Sequence, residues 1–310
     1  MSKNNILLLV EKCSHCFSYY DIDSGARLYS IPLKEFPHEF VVDAQQQYAY
    51  VGHYGVETSG HLGAGGTEIF QIDIAARKLH RSINIAPFNR LHGMQIDNQG
   101  RLYALSEERA ELVVIDNPAT ASAPHRAVST GGIKSHLFAL TRDGQTAYSM
   151  NLLSHTVSKI RPHNATVPPQ ICKPGEKPEG YALSLDEKML YVTCRWSNTL
   201  CAIDTETMQV KYSAPSRDDA TRMYLYRDGR IVVTNYGERS LSVVDAASLK
   251  ETAHIPMEAR AIALSFHPEK PVAFVSQDND KLGYFNMDTL QFERFITTQR
   301  EPDVSQVVSL

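Results

Sequence analysis

One pattern recurs along this chain about every 43 residues, and it leaves few folds open. Each copy starts with a polar or small residue, runs through a short apolar strand, crosses an acidic turn and enters a second strand. In register, the copies open at His38, His92, His136, Glu179, Arg222, Arg260 and Asp303, with steps of 38 to 54 residues. A period of about 40–45 residues with several short strands per unit belongs to a β-propeller, in which each unit is a four-stranded blade.

The fifth copy is the cleanest. It predicts strands at 181–185, 189–194, 199–204 and 209–213, with a turn at Asp186-Glu187-Lys188 and a polar loop at 195–198. Short alternating runs bounded by turn residues are antiparallel strands. The sixth and seventh copies repeat the scheme. The N-terminal unit begins at a second strand, 6–10, and lacks a first one; the C-terminal 304–310 is a first strand with nothing after it. Joined, they complete one blade and hide two open edges that would otherwise invite aggregation. The expectation is an all-β chain forming a single seven-bladed β-propeller domain over 1–310.

Composition narrows the partners. The chain is 43% apolar and 21% charged with a net charge of −4, so no basic stripe points to nucleic acid. No apolar run approaches the ~20 residues of a membrane span. The apolar stretch Ile6-Leu7-Leu8-Leu9-Val10 ends at Glu11-Lys12 and is shorter than the roughly 7–15 residues of a secretory core, so it reads as a strand. Five cysteines, an odd number without a pairing scheme, fit a reducing compartment. The expected location is cytoplasmic. Cys13-Ser14-His15-Cys16 lacks the second ligand pair of a zinc site and the strand–helix context of a redox motif. His267-Pro268 falls in a turn. With neither a G-x-S-x-G elbow nor a G-x-G-x-x-G loop, serine hydrolysis and a nucleotide cofactor have no support.

Leu190-Tyr191-Val192-Thr193-Cys194 and Ile231-Val232-Val233-Thr234-Asn235-Tyr236 resemble the Y-V-T-N repeat of bacterial propellers, as do the flanking x-G-x-A-L-S-x-D and V-x-D-x-x-T/S segments. The resemblance covers nearly the whole chain. It implies the propeller fold, and it is similar in pattern to propeller lactonases and streptogramin lyase.

In a propeller the first strands line the channel, so their opening residues form a ring. Three imidazoles from consecutive blades (His38, His92, His136) stand beside Glu179, followed by Arg222, Arg260 and Asp303. Three histidines and a carboxylate are a ligand set for a divalent metal, or a general acid–base group. Arg222 and Arg260 suit a carboxylate or phosphate. Polar residues at a solvated channel mouth also occur without any ligand.

The second copy is about ten residues too long, and the excess is the Gly-rich stretch 53–66 carrying His53, Tyr54, Glu57 and His61. It is a lid over the ring or a surface excursion. Loops on the same face bring Lys12, Glu107, Asn151, Arg195, Trp196, Asn235 and Tyr236. Arg195 and Trp196 make a substrate wall, or Trp196 covers a neighbouring blade. The favoured expectation is an enzyme acting on a small anionic metabolite, a lyase, isomerase or lactone hydrolase. Its acid–base or metal residues would be His38, His92, His136 and Glu179, and its substrate residues Arg222, Arg260, Asp303, His53, Tyr54, His61, Arg195, Trp196 and Tyr236. The alternative is a non-catalytic propeller that binds a ligand or protein.

Overall fold

In a computed structural model of the chain, residues 5–310 are described; residues 1–4, where the N-terminal reading begins, lie outside them. The chain folds into seven four-stranded antiparallel sheets, the blades of a seven-bladed β-propeller. Blade 1 is built from both ends: the C-terminal strand Pro302–Ser309 pairs with Asn5–Glu11, followed by Cys16–Asp21 and Arg27–Pro32. Leu7 lies opposite Val307 and Leu8 opposite Gln306. The chain packs as two compact units. One comprises Met1–Ser106, Val113–His125 and Ile262–Leu310, the other Glu107–Leu112 and Arg126–Ala261.

Alternation of side chains explains the apolar run at the N-terminus. In the first unit, Leu8 and Val10 point to one face and join Phe17, Phe40, Val51 and Phe70. Leu7 and Leu9 point to the other and join Phe274, Leu282 and Tyr284. A strand buried on both faces must be apolar at every position rather than every second one. In the second unit, Leu137, Met150 and Val157 of blade 4 pack on Leu190 and Val192 of blade 5. No helix among the described residues is long and apolar enough to cross a membrane. All five cysteines are free.

Two backbone devices recur. The residue just before the first strand is left-handed at Phe36, Arg90, Lys134, Lys177, Asp219 and Glu301, with φ between 48° and 58°. This conformation is disfavoured for any residue with a Cβ. It is held because, in five of these cases, its carbonyl accepts a hydrogen bond from the loop after the second strand: Lys12 onto Glu301, Gly55 onto Phe36, Leu152 onto Lys134, Arg195 onto Lys177 and Tyr236 onto Asp219. The first strands of blades 1 to 6 then bulge within their opening residues. A bulge re-aims side chains out of simple alternation.

Glu11 locks the two chain ends together within blade 1. Its buried carboxylate accepts from Ser18 Oγ (2.5 Å), Tyr20 Oη (2.6 Å) and the Gln299 backbone N–H (2.7 Å). Truncation before Pro302 would uncover Asn5–Glu11 as an apolar edge. The truncated protein is expected to elute as aggregate in gel filtration; a monodisperse species with cooperative unfolding would contradict this role for the C-terminal strand.

Candidate functional site

Five of the seven ring residues predicted from sequence occupy one equivalent position. His38, His92, His136, Glu179 and Asp303 are each the second residue of a first strand (Pro37–Val42, Leu91–Ile96, Ser135–Leu140, Pro178–Leu183 and Pro302–Ser309). In blades 6 and 7 that position holds Thr221 and Ile262. Arg222 follows it by one residue, and Arg260 precedes strand Ala261–Phe266 and is exposed. The shorter 38-residue step between these two copies hid the shift.

In the first unit, His38, His92, Tyr54 and Asp303 form one buried cluster, joined by Glu39. His38 Nδ1 lies 2.5 Å from Asp303 Oδ2, and His92 Nδ1 lies 3.4 Å from Glu39 Oε1. The two imidazoles meet edge to face with centroids 4.4 Å apart. Tyr54 closes the group, its ring 5.2 Å from His38 and 5.4 Å from His92. Lys12 Nζ sits 5.9 Å from the Tyr54 ring and pairs with Glu301 at 3.2 Å. A carboxylate beside Nδ1 favours the proton on that nitrogen, which makes Nε2 the basic atom of the ring. Both carboxylate contacts, His38 Nδ1 with Asp303 and His92 Nδ1 with Glu39, are close but not aligned as hydrogen bonds.

In the second unit, charges form a chain from Glu107 to Asp219. Glu107 takes His136 Nδ1 at 2.5 Å and Lys134 Nζ at 3.0 Å. Burial pushes the Glu107 carboxyl up, but the His136 hydrogen bond and charge with the Lys134 ammonium outweigh it and hold the group at about 2. His136 Nε2 is 3.7 Å from Glu179, which binds Arg195 Nη1 at 2.6 Å. Burial likewise raises Glu179, and the charges of His136, Arg195 and Arg222 bring it below the usual carboxylate range. Arg195 grips Asp219 through two hydrogen bonds of 2.6 and 2.8 Å and lies 5.6 Å from the Tyr236 ring. This is a matched charge network of Lys134, His136 and Arg195 with Glu107, Glu179 and Asp219.

The remaining candidates scatter. His53 packs its ring on Phe70, and burial lowers its pKa. His61 stands exposed beside Glu57, 3.8 Å away. Trp196 is exposed and makes ring contacts with His155 and the Lys177 ammonium. The Gly-rich stretch is tied down rather than loose: the buried Arg90 guanidinium donates to the carbonyls of Ser59, His61 and Gly63, and Asn89 Nδ2 to Ala64. Cys13 and Cys16 have different partners, Glu301 and Glu11, and burial together with those carboxylates pushes both thiols up to about 12, far from thiolate chemistry. His267 Nδ1 accepts from the Glu269 and Lys270 backbone, closing its turn.

Sequence reading missed Glu39, Lys134, Asp219 and Glu301. The last three sit at the left-handed position before a first strand. Glu39 follows His38 directly, and simple alternation sends it to the opposite face; the bulge between Pro37 and Phe40 upsets that rule. Among the described residues, no group of three or more His, Cys, Asp or Glu side chains is placed to hold a metal ion. His38 and His92 lie against Asp303 and Glu39, and His136 lies against Glu107.

No family model matches the chain, and no curated protein matches it. Solved structures do. A chain of the "Crystal Structure of Mitotic Checkpoint Complex" aligns at TM-score 0.75 and 11% identity over 90% of this chain and 83% of that one. "Dihydro-heme d1 dehydrogenase NirN in complex with DHE" aligns at TM-score 0.69 and 15% identity over 94% of this chain and 63% of that one. At such identities the likeness shows the propeller fold alone.

Proposed function

We propose that the chain is an enzyme that moves a proton on a small anionic metabolite, in a lyase, isomerase or lactone-hydrolase reaction, at the His38–His92 cluster. The observation that carries this reading is the pair of buried imidazoles in contact with each other, each with Nδ1 against its own carboxylate. Two histidines with oriented Nε2 atoms supply one base and one acid, the minimum for elimination, isomerisation or assisted hydrolysis. Tyr54, against both rings, adds a hydroxyl donor for a developing oxyanion. When one imidazole is protonated, it and the Lys12 ammonium are the cationic groups that would meet an anionic substrate. The two structural neighbours, a chain of a mitotic checkpoint complex and a dihydro-heme d1 dehydrogenase, illustrate that this fold does not decide function.

The test is a thermal-shift screen of small carboxylates, phosphate esters and lactones against the wild type and the His38→Gln and His92→Gln variants, followed by turnover assays of each hit. At least one class should stabilise the wild type, and both variants should lose the shift and 10²–10⁴-fold in turnover, about the range for a lost acid or base. Hits that survive in both variants, or none at all, would move the function away from this cluster.

A further inference from the structure

Blades 4 and 6 use the same carboxamide at the end of the second strand, and the difference between them exposes a second site. In blade 4, Asn151 is fully satisfied. Its Nδ2 donates to Thr156 Oγ1 and Ser158 Oγ, and its Oδ1 accepts from Ser135 Oγ (2.7 Å) and Ser149 Oγ (3.0 Å). In blade 6, Asn235 keeps the first half of this scheme, donating to Ser240 Oγ (3.0 Å) and Ser242 Oγ (2.9 Å). Its Oδ1, on a side chain only 1% exposed, has no donor among the described residues. Strand register gives the reason. Ser135 pairs with Asn151 as Ala220 pairs with Asn235, and Val233 stands where Ser149 does, so both hydroxyl donors have become apolar.

Asn235 lines a cavity of about 310 Å³, at the lower end of small-ligand sites. Leu200, Val233, Val244 and Leu249 give it an apolar wall. Its charged lining is Arg217, Glu238 and Glu251, one more carboxylate than cation. Arg217 is already committed, bonding Glu251 at 2.8 and 3.1 Å and Glu238 at 3.4 Å. His254, 3.6 Å from Glu238, adds positive charge only when protonated. An apolar wall, a surplus negative charge and a buried acceptor lacking a donor describe the complement of an alkylammonium group.

We infer that the blade 6 cavity binds an ammonium group carried on a short apolar body, from a free amine or from a lysine side chain of a peptide. An N–H of that group would supply the donor that Ser135 and Ser149 supply in blade 4, while its charge balances the Glu238–Glu251 excess. This site lies within the second unit and does not depend on the acid–base reading of His38 and His92.

The experiment is an NMR titration of the intact protein with 2-phenylethylammonium, N-acetyl-lysine methylamide, 2-phenylethanol and phenylacetate. It is repeated on Ala220→Ser, which restores the blade 4 donor to Asn235 Oδ1. Because this change adds a hydrogen bond the fold already uses elsewhere, the variant is expected to unfold at or above the wild-type temperature. One or both ammonium probes should shift the amides of Asn235, Leu249 and Glu251; which probe binds more tightly identifies the source as free amine or lysine. The alcohol should bind at least tenfold more weakly, about 1.4 kcal/mol, phenylacetate not at all, and Ala220→Ser should weaken the ammonium at least tenfold. Failure of both ammonium probes to bind would overturn the inference, leaving a water on Oδ1. So would equal binding by the alcohol, or binding unchanged in Ala220→Ser.

Discussion

Glu107→Gln is expected to lower stability by about 3 kcal/mol at neutral pH, and that loss should shrink as the solution is acidified. Glu107 is buried and its carboxyl is held at about 2 against an ordinary 4.5. Every tenfold gain in acidity on folding corresponds to about 1.4 kcal/mol of extra interaction with the charged form. Because the folded-state pKa lies below the unfolded one, the stabilisation is complete above about pH 4.5 and fades as pH falls towards 2. Glutamine keeps the shape but leaves His136 and Lys134 facing a neutral amide, which removes the charge interaction and its pH dependence together. Urea unfolding of wild type and variant at pH 7, 5, 4 and 3 measures this. A gap that stays constant across the series would mean that Glu107 contributes packing and hydrogen bonding rather than charge.

The second large effect is expected at Arg90. Its side chain is buried, and its guanidinium holds the 56–64 stretch through the carbonyls of Ser59, His61 and Gly63. Arg90→Met retains the apolar stem and removes every one of these charged donors, at a cost of about 2 kcal/mol or more. The more telling readout is local. The wild-type stretch should resist limited proteolysis, and in Arg90→Met cleavage within 56–64 should accelerate at least tenfold while the blades remain intact. Equal cleavage rates would show that the stretch is held by something other than Arg90.

These residues mark where sequence was legible and where it was not. Repeat spacing located the blades, and the complementary ends, a first strand at 304–310 and a missing one before Ile6, located the closure of blade 1. His38, His92, His136, Glu179 and Asp303 were readable because each follows the same turn at the same distance from its strand. Arg222 and Arg260 were misplaced by one or two positions because a 38-residue step contains no marker for where the shortening occurs. Glu39 was invisible because a bulge overrides alternation, and bulges leave no mark in composition. Lys134, Asp219 and Glu301 were missed for a related reason: nothing in a Lys, Asp or Glu announces a left-handed backbone, which here is fixed by a carbonyl that the neighbouring loop requires. The grip of Arg90 on the Gly-rich stretch is a contact across about 30 residues of sequence, and only the fold supplies it.

For the central claim, the decisive measurement is the tautomeric state of His38 and His92, read from long-range ¹H–¹⁵N correlation spectra of the intact protein and assigned with His38→Gln and His92→Gln. Carboxylates at Nδ1 predict that, when neutral, both rings carry their proton on Nδ1 and leave Nε2 as the base. Protons found on Nε2 in both rings would mean that Asp303 and Glu39 do not orient them, and the acid–base reading of this cluster would fail.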